Sequence, residues 1–184
     1  DKIYSQELKE LDTNSVLHRD GKINFSARWD LINKLAASAG LDHTKYQNLS
    51  KLVESLKLEK GIDFAKANKE RDALIDTLSK KLSRPELEQL VLKSLAFKMN
   101  KISQGEYYIF LQDLAGKLYI DAEPYKNLIA FTEYITLYES IDLLEIFEEV
   151  GSFEDAIKER LFSTDDQRRL SDLSKCVGYI KDLF

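Results

Sequence analysis

Apolar residues recur at intervals of three and four positions along most of this chain, which is the spacing of amphipathic helices. The clearest stretches run from Trp29 to Ala36 and from Tyr108 to Ala115. No segment alternates strictly between apolar and polar residues over a useful length, as a half-buried strand would. The pattern therefore predicts an all-α protein with eight helices and a ninth at the end of the chain.

Residues that end and begin helices stand where this pattern breaks. Gly21 and Asn100 can take the left-handed backbone conformation that is needed just past a helix C-terminus. Asn24 and Ser103 follow at the next helix starts, where a short polar side chain caps free backbone N–H groups. Glu106, three positions after Ser103, predicts a reciprocal capping box.

The chain also repeats itself. Residues 3–64 align without a gap with residues 82–143 at a displacement of 79, and 16 of the 62 positions are identical. The match then resumes at a displacement of 83, from Asp72 and Asp155 onward. The identical pairs at the first displacement include Leu8/Leu87, Leu11/Leu90, Lys22/Lys101, Leu35/Leu114, Asn48/Asn127 and Leu49/Leu128. A fixed period of this kind indicates a repeated structural unit.

The repeat predicts a tandem duplication of a four-helix unit of about 80 residues. The first copy covers residues 1–81, the second covers 82–164, and residues 165–184 form the opening helix of a truncated third copy. Because the chain starts at Asp1 and stops after one element of a copy, we expect it to be part of a longer protein. The copies could form a short helical-repeat array or two similar four-helix bundles joined end to end.

Composition and charge exclude several functional classes. The net charge is −5 with both signs interspersed, so no basic stripe is available for a phosphate backbone and no nucleic-acid partner is expected. Every apolar run is shorter than the roughly 20 residues that span a bilayer, so no membrane span is expected. The single cysteine, Cys176, is expected to be a small core residue. A leader could precede Asp1, so the location stays open, with the cytoplasm favoured.

Short motifs resemble catalytic or metal sites but lack the partners that the chemistry needs. His18-Arg19-Asp20 resembles the catalytic loop of protein kinases, yet no glycine-rich loop or Asp-Phe-Gly accompanies it. Asp20-Gly21 resembles the middle of a calcium-binding loop whose first and last ligand positions are apolar here. No Glu-x-x-His pair is present for a di-iron bundle. The sequence therefore predicts no catalytic residue, metal site or cofactor, which favours a non-catalytic protein.

Positions where the two copies differ indicate where function is to be sought. Residues that are polar or glycine in the first copy become tyrosine in the second at Arg28/Tyr107, Gly40/Tyr119, Ser55/Tyr134 and Glu59/Tyr138. Tyr134 and Tyr138 are four positions apart and therefore share one helix face. That face either packs against a neighbouring copy or the ninth helix, or binds a partner, since tyrosine combines contact area with a polar tip.

A second candidate set is retained in both copies rather than changed. Tyr46/Tyr125 and Asn48/Asn127 stand together near a predicted loop. A helix cap explains the asparagine and local packing explains the tyrosine, while a ligand site is the alternative. The acidic run Glu145, Glu148 and Glu149 is expected to be a solvated helix face.

These patterns favour a non-catalytic helical repeat module that serves as a scaffold or protein-interaction segment of a larger chain. Its partner would be another protein or the remainder of the parent chain, and a homo-oligomer is compatible with the pattern. Two alternatives remain. The chain could be a helical accessory region of an enzyme whose active site lies elsewhere, or a small-molecule-binding bundle with a cavity lined by Phe110, Phe131 and Tyr125.

Overall fold

A computed structural model describes residues 3–182, with side chains described through residue 177, and this part of the chain contains helices and no strand. The prediction of an all-α protein with nine α-helices is therefore confirmed for the described residues. A short 3-10 helix, Glu123–Tyr125, precedes α7. The α-helices are α1 Gln6–Arg19, α2 Phe25–Ser38, α3 Gln47–Glu59, α4 Phe64–Lys81, α5 Arg84–Lys98, α6 Gln104–Lys117, α7 Lys126–Glu139, α8 Leu143–Leu161 and α9 Asp165–Asp182.

The predicted helix boundaries follow from local side-chain chemistry. Asn24 accepts a hydrogen bond from the Ala27 amide at 2.9 Å and so caps α2. Gly21 and Asn100 both have positive φ, at 69° and 54°, as their positions after α1 and α5 require. The local sequence therefore determines where these helices begin and end.

The capping box predicted at Ser103 is only half correct. Ser103 accepts from the Glu106 amide at 3.1 Å, but the Glu106 carboxylate binds Lys93 at 2.6 Å instead of returning to the cap. The carboxylate of Glu139, from the last turn of α7, caps α6 instead by accepting from the Gly105 amide at 3.2 Å. A Cβ added to Gly105 would lie 2.5 Å from that carboxylate, so a larger residue here would displace the Glu139 side chain from the cap.

The contacts group the helices into two compact units. The central unit is Ser50–Asp142, and the terminal unit combines Asp1–Leu49 with Leu143–Phe184. These units are defined by contacts in space, whereas the predicted bounds at 81 and 164 are defined by sequence repetition. The sequence bounds stay a prediction.

The central unit has its own hydrophobic core. Helix α4 packs against α6 and α7, and α5 packs against α6. Aromatic side chains fill much of the space, with Tyr108 fully buried and Phe131 edge-on to it at 5.5 Å between ring centroids. The buried members are Ala67, Leu74, Leu78, Leu90, Tyr107, Tyr108, Leu111, Leu114, Tyr125, Leu128 and Phe131.

A buried carboxylate fixes the register between α4 and α7 in this unit. Glu70 of α4 is 8% exposed and accepts from the Asn127 side-chain amide at 2.7 Å and from the Leu128 backbone amide at 2.9 Å. Both donors lie in the first turn of α7, where backbone N–H groups have no partner within their own helix and the helix dipole favours an anion. The Glu70 carboxylate therefore caps α7 from a different helix.

The terminal unit contains a comparable arrangement. Helices α1, α2 and α8 contact one another around Trp29, which stacks on Phe153 at 6.1 Å between ring centroids. Glu149 of α8 accepts from the Leu49 amide at 2.7 Å and from the Asn48 side chain at 3.2 Å. Glu145 also accepts from Asn48, at 2.9 Å.

Three sequence-based expectations are corrected by these contacts. The acidic run on α8 is not wholly solvated, because Glu145 and Glu149 bind the buried Asn48. Asn48 and Asn127 lie inside the first turns of α3 and α7 rather than at N-cap positions, and their side-chain amides donate to these carboxylates. Cys176 is exposed on α9 rather than in a core. In the part of the chain that the structure describes, no helix is both long and apolar enough to cross a membrane.

Replacing Glu70 by alanine should destabilise the central unit by about 2–3 kcal/mol, because the Leu128 amide and the Asn127 side chain lose their acceptor in a buried place. Urea unfolding followed by tyrosine near-ultraviolet circular dichroism measures this loss, since most tyrosines lie in the central unit. The exposed Glu54 provides the control, and Glu54→Ala should change the free energy of unfolding by less than about 0.5 kcal/mol. Equal effects of the two variants would contradict the capping role of Glu70.

Candidate functional site

The four tyrosines that distinguish the second copy do not form one site. Tyr107 is 2% exposed in the core of the central unit, where it stacks on Phe97 at 4.6 Å and its hydroxyl bonds the Ser94 hydroxyl at 2.8 Å. Tyr119 lies at the end of α6 with a positive φ of 52° and is 95% exposed. The structure brings only Tyr134 and Tyr138 together.

Tyr134 and Tyr138 form the outer part of an aromatic surface on the central unit. Their rings are stacked at 6.0 Å, and Phe64, at the start of α4, contacts Tyr134 edge-on, also at 6.0 Å. Tyr138 is 48% exposed and Phe64 is 37% exposed, whereas Tyr134 is half-buried. We call these three residues the tyrosine surface.

The tyrosine surface combines aromatic area with a hydrogen-bond donor. Partial burial raises the pKa of the Tyr134 hydroxyl, and the nearby Glu59 carboxylate and Tyr138 raise it further. The phenol therefore stays protonated and remains a hydrogen-bond donor at neutral pH. Behind the surface, Phe131 contacts both Phe64 and Tyr134, so the exposed rings stand on a packed aromatic base.

The retained tyrosines are held by packing in the two units, and the retained asparagines are bonded to carboxylates. Tyr125 is 9% exposed, and its hydroxyl lies 3.2 Å from the Thr77 hydroxyl. Tyr46 packs edge-on against Phe153 at 5.3 Å in the terminal unit. Asn48 and Asn127 are bound to carboxylates, as described above. Phe110, Phe131 and Tyr125, considered as the lining of a ligand cavity, lie in or against the core of the central unit.

A second candidate is a charged cleft of about 700 Å³ in the terminal unit. Arg28 and Glu154 form an ion pair of 2.6 Å there, with side chains only 15% and 11% exposed. Arg28 also donates to His18 Nδ1 at 3.1 Å, and Ser15 donates to Glu154 at 3.4 Å. Burial and the Arg28 charge lower the pKa of His18, against the opposing effect of Glu154. The cations that are most buried in this cleft are therefore already paired within the protein.

Sequence reasoning missed an exposed apolar surface on α5. Val91, Leu92, Leu95 and Met99 are more than half exposed along this helix. Since apolar residues surround α5 on all sides, the helix has more apolar surface than one core can cover. This distribution of apolar residues around α5 was the signal in the sequence that could have revealed the exposed surface. The first turn of α8 likewise exposes Leu143 and Phe147.

The comparisons with known proteins provide no family for this chain. No protein-family model matches it, and searches of curated proteins and of solved structures return no significant match. Among the described residues, no group of three or more His, Cys, Asp or Glu side chains is placed to hold a metal ion. The described residues form an all-helical protein with two compact units.

The partly buried His18 should make the terminal unit less stable in acid. Its pKa lies below the ordinary value of 6.5 in the fold, so the unfolded chain takes up a proton first as the pH falls. The free energy of unfolding should therefore fall below about pH 6.5, and less steeply in His18→Gln, whose amide oxygen can still accept from Arg28. Urea unfolding followed by Trp29 fluorescence at about pH 5 and pH 7.5 measures the difference. Parallel pH profiles for the two proteins would contradict this account.

Proposed function

We propose that this chain is a non-catalytic helical repeat module that acts as a scaffold or protein-interaction segment of a larger protein. The observation that carries the proposal is the tyrosine surface, in which Tyr138 is half exposed and stacked on Tyr134. Tyrosine is enriched where proteins bind one another, because it buries a large area and keeps a polar hydroxyl at the edge.

The repeat architecture belongs to this proposal, and the buried positions of α4 and α8 support it. At the displacement of 79, Glu70 corresponds to Glu149, and both carboxylates bind an Asn-Leu pair at the start of another helix. The same displacement relates the buried pair Ala67/Ile146, and the displacement of 83 that applies from Asp72 onward relates the buried pair Leu74/Ile157. Burial and chemistry therefore repeat together along the fourth helix of each proposed copy.

In this architecture each compact unit draws helices from both copies. In the central unit, α4 of the first copy holds α7 of the second copy through Glu70. In the terminal unit, α8 of the second copy holds the start of α3 from the first copy through Glu149. Neither copy would complete its own core alone, which suits a module that works as a continuous scaffold.

Within the tyrosine surface, we assign the binding role chiefly to Tyr138. Tyr134 contacts Phe64, Phe131 and Tyr138, so much of its ring area is already used inside the unit. Tyr138 lies at the outer end of these aromatic rings, and almost half of its surface is exposed and accessible to a partner. A substitution at Tyr138 should therefore affect binding more than folding.

The test begins with a photo-crosslinking amino acid at position 138 of the parent protein in cells, and the same amino acid at position 119 as the matched control. Tyr119 is also an exposed tyrosine of the central unit but lies at the end of α6. We expect position 138 to crosslink one defined protein and position 119 to give no such product. The crosslinked protein is then identified by mass spectrometry and purified.

With the purified partner, Tyr138→Ala should raise the dissociation constant at least roughly tenfold, because a central aromatic contact is lost. Tyr119→Asn should change it less than about twofold, since asparagine tolerates the left-handed backbone at that position. Isothermal titration calorimetry measures both variants. Unchanged affinity for Tyr138→Ala, or unfolding of this variant, would count against the binding role and in favour of a purely structural one.

A further inference from the structure

We propose that the exposed face of α5 binds the same face of a second copy of this chain, with the two helices antiparallel. Val91, Leu92, Leu95 and Met99 form this face and are called the α5 stripe; they are 59%, 65%, 52% and 53% exposed. Four such side chains expose roughly 400 Å², which is as large as the largest apolar patch on a typical monomer. The proposal concerns a surface other than the tyrosine surface.

The stripe is shaped to receive another helix. A groove of about 350 Å³ runs beside it between α4 and α5, with Ile75 and Leu90 at its base and Lys98 at one end. A shallow depression of about 490 Å³ is lined by Leu87, Val91 and Leu92 of α5 itself. The groove between α4 and α5 therefore offers space for the side chains of a second helix.

The order of charged and apolar residues favours a second copy over an unrelated partner. Arg84, Glu88, Val91, Leu95 and Lys98 follow one another in steps of four and three residues, which is the spacing of a coiled-coil seam. The two apolar residues lie at the centre of the seam, with an acidic residue before them and a basic residue after them. The segment from Glu88 to Lys98 is therefore complementary to itself when it is turned around, and Arg84 lies beyond this segment.

In a dimer with a twofold axis, particular residues of the two copies face each other. If Val91 of one copy lies opposite Leu95 of the second copy, then Glu88 lies opposite Lys98, and symmetry forms this ion pair twice. Glu88 now forms a loose pair of 3.5 Å with Arg84 in its own helix, and its side chain is 68% exposed, so it is accessible to a partner. The antiparallel arrangement also places each helix N-terminus near a C-terminus, which favours the pairing of the helix dipoles.

The size of the stripe predicts a weak dimer. Its exposed area is about half of the roughly 800 Å² that each partner buries in a standard interface. We therefore expect a dissociation constant on the order of 10–100 µM for the chain alone. Sedimentation equilibrium between about 5 and 500 µM covers that range.

The decisive experiment combines disruption of the stripe with an exchange of its charges. Leu95→Glu should weaken dimerisation by more than roughly tenfold, because it places two charges in the centre of the contact. Glu88→Lys and Lys98→Glu alone should each weaken it by roughly three- to tenfold, since each places like charges opposite each other twice. The double variant with both charges exchanged should recover the original dissociation constant within about twofold.

Control variants separate association from folding. Glu54→Lys alters another exposed ion pair of the central unit, with Lys57, and should leave the dissociation constant unchanged. Far-ultraviolet circular dichroism should show the same helix content for all variants, because the substituted residues are exposed. A chain that stays monomeric up to 500 µM overturns the proposal and leaves the stripe to a different protein. A dimer that resists Leu95→Glu, or single charge changes that the double variant does not rescue, overturns it as well.

Discussion

The arrangement of the central unit depends on carboxylates that cap the N-terminus of another helix. Glu70 binds two donors in the first turn of α7, and Glu139 at the other end of α7 binds the start of α6. Each carboxylate satisfies backbone N–H groups that no residue of the capped helix can satisfy, and each anion lies at the positive end of a helix dipole. The hydrophobic effect is non-directional, whereas these hydrogen bonds form in one register only.

Positions 28 and 107, which the sequence displacement of 79 pairs, hold different chemistry in the two compact units. At one corresponding position the terminal unit has Arg28, buried against Glu154, with Ser15 as a further donor. The central unit has Tyr107 there, and its hydroxyl bonds Ser94, which corresponds to Ser15. A buried ion pair is costly to desolvate and costly to break, while a tyrosine with one hydrogen bond adds apolar contact instead. Arg28 and Tyr107 are therefore both bonded within their own units, Arg28 beside the charged cleft and Tyr107 in the core.

Local features of the fold were predictable from the sequence, and the partners of side chains were not. Gly21, Asn24 and Asn100 act within a few residues of themselves, so their roles follow from the sequence around them. From the sequence, Glu149 is expected to be a solvated charge. The fold places Asn48, about one hundred positions earlier in the chain, within hydrogen-bond distance of it. Likewise, spacing placed Tyr134 and Tyr138 on one face correctly, but only the fold distinguishes the half-buried ring from the exposed one.

The same capping bonds explain why α7 is suited to present an exposed tyrosine. Tyr138 immediately precedes Glu139, whose carboxylate is bound to the start of α6, and the opposite end of α7 is bound to Glu70. A helix that is held at both ends keeps its side chains in place before a partner arrives. Less conformational entropy is then lost on binding, so a small aromatic surface can contribute more to affinity than the same residues on a loop. The rigidity of α7, and with it the proposed binding role of the tyrosine surface, therefore rests on the same two carboxylates.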